Sequence, residues 1–370
     1  MRRAVLRIPA AAWTVLVPLV SLLALVFSWG RDLPGHAVAI VALCLAGAVL
    51  AAVHHAEVVA HRVGEPFGSL VLAVAVTVIE VALIVTLMVD GGPKTASLAR
   101  DTVFAAVMIT CNGIVGLSLL VGALRNRVAV FNPEGSGAAL ASVATLATLS
   151  LVLPTFTTSK PGPEFSPAQL TFAACASLAL YGLFVSVQTI RHRDYFLPVA
   201  TGSDSGAGAG DDSHATPPSA RAAVISLGLL LVALVAVVGN AKAVSPTIES
   251  AVAEAGLPQA VVGVVIALLV LLPETLAAVR AASRDRVQTS LNLAYGSALA
   301  SIGLTIPAIA LASLWLSGPL LLGLGPVHMV LLALTVAVGT LTVVLGRATL
   351  LQGGVHVVVL AAYLFLAVSP

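Results

Sequence analysis

The chain has 370 residues, 59% of them hydrophobic and 9% charged, with a mean hydropathy of +1.07. A soluble domain carries about 25% charged residues, so this composition excludes a water-soluble globular protein and divides the length into membrane spans of about 20 residues. The formal net charge of +2 is too small to argue for a nucleic-acid partner. In chain order, Met1-Arg2-Arg3 leads into an apolar run from Ala10 to Trp29. No small-x-small cleavage site follows that run in a polar setting, so it reads as a retained first span and not a signal peptide. Apolar runs predict five more spans near 36–56, 68–89, 102–124, 137–155 and 167–189. A second set falls near 221–240, 258–279, 288–315, 319–345 and 349–368. The expected fold is an all-α polytopic membrane protein of about eleven spans.

Residues 193–220 separate the two sets. From Ala200 to Ala220 the chain is Gly, Ser, Asp and Pro with Asp204, Asp211, Asp212 and His214, too little apolar surface to fold alone, and reads as a cytoplasmic linker. Taking 1–33 as an N-terminal helix leaves five spans in 34–192 and five in 221–370. Five is odd, so the halves begin on opposite sides of the membrane, as in the inverted repeats of secondary transporters. Basic residues orient the layout, because cytoplasmic loops retain Lys and Arg. With the N-terminus inside, Arg2, Arg3, Arg7, Arg62, Arg125, Arg127, Arg191, Arg193, Arg221, Arg280, Arg284, Arg286 and Arg347 collect on one side. Only Arg31, Lys94, Arg100, Lys160 and Lys242 fall on the other, which places the C-terminus outside.

Near the end of the second span, His54, His55, Glu57, His61 and Glu65 gather. They read as solvated interfacial side chains, as a zinc site, or as a pH sensor or proton path, since an unperturbed histidine titrates near pH 6.5. The third span carries Glu80 midway along an apolar run, with Thr77 three residues earlier on the same face. A carboxylate at that depth costs several kcal/mol and is kept for a partner, a cation or a water-filled path. The alternative is a protonated glutamate bonded to a neighbouring helix. The eighth span repeats the pattern with Pro273-Glu274-Thr275, at the second place of its half just as Glu80 is in the first. Pro273 interrupts the helical ladder and frees a carbonyl as a hard-cation ligand, or is an ordinary kink.

The following spans add neutral oxygens: Thr110 and Asn112 in the fourth, Asn292, Ser297 and Ser301 in the ninth. Asn112 reads as a site ligand or as interhelical glue; Gly296-Ser297-Ala298 reads as site or as close packing. Carboxylate, amide, hydroxyl and carbonyl oxygens suit Ca2+, Na+ or K+, whereas a transition metal would want His or Cys. Glu80 and Glu274 are therefore the metal-ligating candidates. Glu249 and Glu254 fall in the external loop after the seventh span. Cys44, Cys111 and Cys175 lie in apolar runs and read as small hydrophobes. No phosphate-binding glycine loop, nucleophile-base pair or zinc-protease helix is present, so nothing supports an ATP-driven pump or a membrane hydrolase.

These residues resemble the cation/proton exchanger branch of the Ca2+/cation antiporter superfamily, and within it the bacterial ChaA-type sodium-potassium-calcium/proton antiporters. Ala56-Glu57 through His61, Gly64-Glu65-Pro66 and on to Thr77 and Glu80 looks like the subgroup's first signature, and Glu65 to Glu80 keeps the family's interval. Leu272-Pro273-Glu274 followed by Gly296-Ser297-Ala298 matches the second. The family's Gly-Asn-Ala before each glutamate is replaced by Val76-Thr77-Val78 and Val270-Leu271-Leu272, and its later Gln falls at Ala300. Fewer neutral oxygens leave monovalent cations open beside calcium. The resemblance implies antiport of Ca2+, Na+ or K+ for H+ in the bacterial inner membrane, with both glutamates shared by cation and proton, Asn112 and Ser297 as secondary ligands, and no cofactor. Burial disfavours the charged form of a carboxylate, which is what competition between cation and proton requires. The rival from another class is a cation channel with an acidic pore lining.

Overall fold

The computed structural model describes residues 10–31, 33–64, 67–91, 95–199, 218–315 and 318–370. Ten of its helices are long and apolar enough to cross a membrane, and a shorter apolar helix, Ala12–Ser28, precedes them. In chain order the helices are α1 (Ala10–Ser28), α2 (Gly35–Val63), α3 (Phe67–Gly91), α4 (Leu98–Met108), α5 (Val115–Asn126) and α6 (Pro133–Ala147). They continue as α7 (Pro167–Ser186), α8 (Ala220–Glu254), α9 (Ala260–Ala282), α10 (Val287–Ala312), α11 (Pro326–Val343) and α12 (Leu350–Val368). A π-helical turn, Ile109–Ile114, joins α4 and α5 into one span. This is the architecture expected from the hydropathy. Helix starts carry local signals too: Asn132 caps α6 ahead of Pro133, and Ser166 with Gln169 and Thr349 with Gln352 form capping boxes on α7 and α12.

Three boundaries differ from expectation. The second span runs on to Val63, so Glu57 and His61, beyond the expected end near 56, stand on helix as His54 and His55 do. The seventh continues through Pro246 to Glu254, which puts Glu249 and Glu254 within α8 and corrects their assignment to an external loop. The polar stretch read as its end is accommodated: Asn240 is fully buried and its Nδ2 donates to the Ser21 carbonyl at 2.9 Å. The tenth span begins at Pro326, because the apolar residues before it form a buried, non-helical strap. There the Leu321 amide donates to Ala96, Gly323 to Pro163 and Leu324 to Leu151, at 3.1, 3.0 and 2.7 Å. Leu322 and Leu324 are 1% exposed, so hydropathy alone could not tell this strap from helix.

The chain divides into two compact units, Met1–Asp90 with Pro217–Ser250 and Gly91–Thr216 with Ala251–Pro370. Each draws helices from both sequence halves. In the first, α1 lies along α2: a Cβ on Gly47 would stand 2.9 Å from Val17, and Ser21 Oγ donates to the Cys44 carbonyl at 2.8 Å. Leu25 packs on Gly239, bringing α8 to α1.

In the second unit, small residues set the helix spacing. Gly116 of α5 and Gly353 of α12 face each other, each placed so that a Cβ would meet the other's carbonyl oxygen at 3.1 Å. Gly263 brings α9 onto the start of α4, and Gly303 seats α10 on Tyr181 of α7. At one end of this unit a two-stranded ladder pairs Ala129 with Ala348 and Val130 with Arg347; nearby Arg125 donates to the Ser283 carbonyl and Asn126 to Asp285. The strap closes the other end. Loops that alternate along the chain thus meet at alternate ends, as successive membrane crossings require.

The close crossing predicts an asymmetric response to alanine. Gly353→Ala would put a methyl 2.8 Å from the Leu120 amide nitrogen, whereas Gly354 faces open space. Overpacking costs about 1–3 kcal/mol, so Gly353→Ala should lower the melting temperature in detergent while Gly354→Ala leaves it unchanged or raises it.

Candidate functional site

Two carboxylates stand near the middle of apolar helices, one in each unit. Glu80 of α3 is 4% exposed, with Thr77 buried one turn earlier on the same face and Ile79, Leu83 and Ile84 buried around it. Glu274 of α9 is half-buried, and its Oε2 atom is out of reach of solvent. Pro273 lies inside α9 without ending it, and the adjacent Thr275 hydroxyl donates back to the Leu271 carbonyl at 2.7 Å. Helical amides are already committed to the ladder, so a carboxylate at such depth is kept for a side-chain partner, a cation or a proton.

In the second unit the helix carrying Glu274 and the helix carrying Ser297 both pack on the π turn that carries Asn112. A π turn widens the helix by one residue, and such turns recur at functional sites. Every residue of this one is buried. Asn112 Nδ2 donates to Thr335 Oγ1 of α11 at 2.9 Å, and its Oδ1 lies 3.2 Å from His356 Nδ1 of α12. His356 Nε2 is in turn 3.2 Å from Thr342 Oγ1 of α11. Asn112, expected as ligand or glue, therefore ties three elements together and keeps one lone pair of its oxygen beyond the His356 contact.

Ser297 of α10 is half-buried, and the neighbouring Gly296 faces open space, so close helix packing does not account for that glycine. Asn292 is placed differently, nearer the Arg286 end of α10. Its Nδ2 donates to the Phe196 carbonyl at 2.6 Å and its Oδ1 accepts from Gln288 Nε2 at 2.8 Å, while Gln288 Oε1 accepts from the Asn132 amide at 2.6 Å. These bonds anchor two loops to α10.

The histidine cluster on α2 belongs to the first unit. His55 is buried and 2.9 Å from the Thr14 carbonyl through Nε2; a carbonyl only accepts, so Nε2 carries the hydrogen. Its ring stands edge-on to His54 at 5.5 Å, and His54 packs on Trp13 at 5.9 Å. Glu57 is half-buried and His61 exposed; Glu65 lies outside the described residues. Among the described residues no group of three or more His, Cys, Asp or Glu side chains could hold a metal ion.

Three features escaped the sequence reading. His356, with Thr335 and Thr342, completes the Asn112 network; the only signal was a histidine inside the apolar run Val355–Val359. Asp101 is buried in the first turn of α4, where the helix dipole favours an anion. It takes Arg100 Nε and Ser97 Oγ, each at 2.8 Å, and Arg100 reaches on to the Gly323 carbonyl of the strap at 3.2 Å. The pair was hidden because only Arg100 had been counted, as a loop charge. Phe104, one turn further along α4, then meets His328 and Tyr363 at ring distances of 4.9 and 5.4 Å.

The profile of the sodium/calcium exchanger protein family matches residues 33–190 and 225–369. The chain is 46% identical to the putative ionic transporter y4hA of Sinorhizobium fredii, over 97% of this chain and 96% of that protein. It is 35% identical to the sodium-potassium/proton antiporter ChaA of Escherichia coli, over 95% of this chain and 94% of that one. Among solved structures, an H+/Ca2+ exchanger CAX superposes with a TM-score of 0.66 at 17% identity, covering 96% of this chain and 92% of its own, which establishes a shared fold.

The network makes a stability prediction. Thr335→Val removes the 2.9 Å acceptor of a fully buried amide and leaves Asn112 Nδ2 with Met108 Sδ at 3.8 Å. An unsatisfied buried donor costs about 1–3 kcal/mol, so the variant should melt several degrees lower than wild type in the same detergent.

Proposed function

Because this chain belongs to the sodium/calcium exchanger protein family, we propose that it is a secondary active antiporter that exchanges Na+, K+ or Ca2+ for H+, with Glu80 and Glu274 as the groups that take cation and proton. The observation that carries this reading is the pair itself: one acid at the middle of the second span of each half, Glu80 buried to 4% exposure and Glu274 with a carboxylate oxygen shielded from solvent. A charged carboxylate is costly at that depth, and a bound cation or a proton each relieves the cost. Exchange is competition between the two. Each carboxylate gives up its proton when the cation arrives and regains one when the cation leaves.

Alternating access supplies direction: the occupied states reorient between the two faces of the membrane, and the bare charged state is the one too costly to do so. The name of the 35%-identical relative, a sodium-potassium/proton antiporter, supports monovalent cations. So does the replacement of the family's amide ligands by Thr77, Leu271 and Ala300. Thr77, one turn before Glu80, and Ser297, on the helix packed against that of Glu274, remain as neutral oxygens, and Pro273 frees the Leu269 carbonyl one turn before Glu274. Charge placement supports an inner-membrane location with the N-terminus cytoplasmic and the C-terminus outside, each half of five helices inverted with respect to the other.

The test is proton movement in everted membrane vesicles with an imposed pH gradient, adding Na+, K+ and Ca2+ separately. Glu80→Gln and Glu274→Gln should each reduce cation-dependent proton movement at least about tenfold, because glutamine can neither bind nor release a proton. Both variants should fold with unchanged or raised melting temperature, since a buried charge is removed. Full activity in the double variant overturns the assignment of the site, and conduction without proton coupling overturns antiport.

A further inference from the structure

We propose that His356 is a positioning residue for exchange, holding the carboxamide of Asn112 so that its oxygen, and not its NH2 group, is presented on the α12 side of the π turn. The proposal rests on the antiport reading above for what the oxygen is used for, and on the Thr335 and His356 contacts for the orientation.

An amide binds a hard cation only through oxygen, and the two ends of an asparagine side chain have nearly the same shape. Which end points where is decided by the partners. Thr335 has a single hydroxyl hydrogen. Its Oγ1 lies 2.8 Å from the Leu331 carbonyl and 3.5 Å from Met108 Sδ, and the carbonyl is much the stronger acceptor. With its hydrogen on Leu331, the Thr335 oxygen accepts from Asn112 Nδ2 at 2.9 Å, and Oδ1 then faces α12.

The other side of the lock follows. With Nδ2 on Thr335, Oδ1 can only accept, so His356 Nδ1, 3.2 Å away, carries a hydrogen; the Cys111 backbone of the π turn is a further hydrogen-bond partner of the same imidazole. Nε2 of the same ring lies 3.2 Å from Thr342 Oγ1, whose hydroxyl also has the Val338 carbonyl at 2.8 Å as an alternative acceptor. Thr335 on α11 and His356 on α12 thus grip opposite ends of one amide. Glycine makes the grip possible: a Cβ on Gly116 would stand 2.9 Å from His356 Cβ, so any larger residue would push α12 and its imidazole away from the π turn. One donor occupies one lone pair of Oδ1 and leaves the second for a cation. Without the histidine donor the amide is held at one end only, and its oxygen is no longer held in place.

Two substitutions separate this role from mere packing. Asparagine carries its amide nitrogen close to where histidine carries Nδ1, and glutamine carries it close to Nε2. His356→Asn keeps the donor to Asn112; His356→Gln moves it toward Thr342. The purified full-length protein is melted at fixed pH in series of NaCl, KCl and CaCl2, with choline chloride as the baseline that reports folding. His356→Gln should raise the apparent Kd of the bound cation roughly tenfold, the effect of losing one oriented polar contact, and His356→Asn should stay within about twofold of wild type.

Equal weakening in both variants, or none in either, overturns the proposal. If neither variant is recovered folded, Thr335→Val reports from the other end of the lock, and unchanged cation affinity there overturns it as well. Wild-type protein that binds a cation in this assay but moves no protons in vesicles refutes antiport and leaves the His356 role standing whenever the two variants differ as expected. Wild-type protein that binds none of the three cations overturns both.

Discussion

At the centre of a bilayer no water is available to satisfy a polar group, and the polar side chains buried within the helices answer that constraint. Hydroxyls meet it locally. Thr86, Thr110, Ser118, Thr189 and Thr275 each donate to the carbonyl four residues earlier, at 2.6 to 2.7 Å. Amides and imidazoles have more groups than their own helix can satisfy, so they join helices instead. Asn240 ties α8 to α1, His55 ties α2 to α1, and Asn112 with His356 ties the π turn to α11 and α12.

Those ties depend on backbones that approach closely. Lipid tails are as apolar as leucine, so helices in a membrane gain little from burying apolar surface on each other and associate through packing and hydrogen bonds. Gly116 and Gly353 allow the α5–α12 crossing at which His356 comes level with the π turn, and Gly263 lets α9 lie against the start of α4. The π turn itself is enclosed by α9, α10 and α12, which leaves its wider backbone protected from lipid.

Carboxylates answer the same constraint in a different way. An ionised carboxylate has no hydrogen to return to a helix carbonyl, and the backbone amides around it are already bonded. It takes a donor from another side chain, a metal cation or a proton. In the proposed exchange the last two compete for the same glutamates, and the neutral oxygens nearby set which cation competes well. Thr77, Leu271 and Ala300 bring no amide oxygen to that competition. Asp101 shows the alternative outcome, a buried acid neutralised within the chain by Arg100 and Ser97, which binds structure together.

Much of the architecture was legible in the residue order because hydropathy acts over whole spans: a run of about 20 apolar residues must cross the membrane, whatever surrounds it. The eleven apolar helices and the matching places of Glu80 and Glu274 along them come from such one-dimensional patterns. Pattern fails where a neighbour supplies the missing partner. Asn240 looked like a helix end until Ser21 was seen to accept its hydrogen, and 319–325 looked like helix until Ala96, Pro163 and Leu151 were seen to pair with it. His356 and Asn112 are 244 residues apart, and no local periodicity connects them. The sequence by itself determined which segments enter the lipid and which acids they carry, since that depends on each segment's own transfer energy. Only the tertiary structure decided which way the Asn112 amide faces, because an amide's orientation belongs to the donors and acceptors that other helices bring to it.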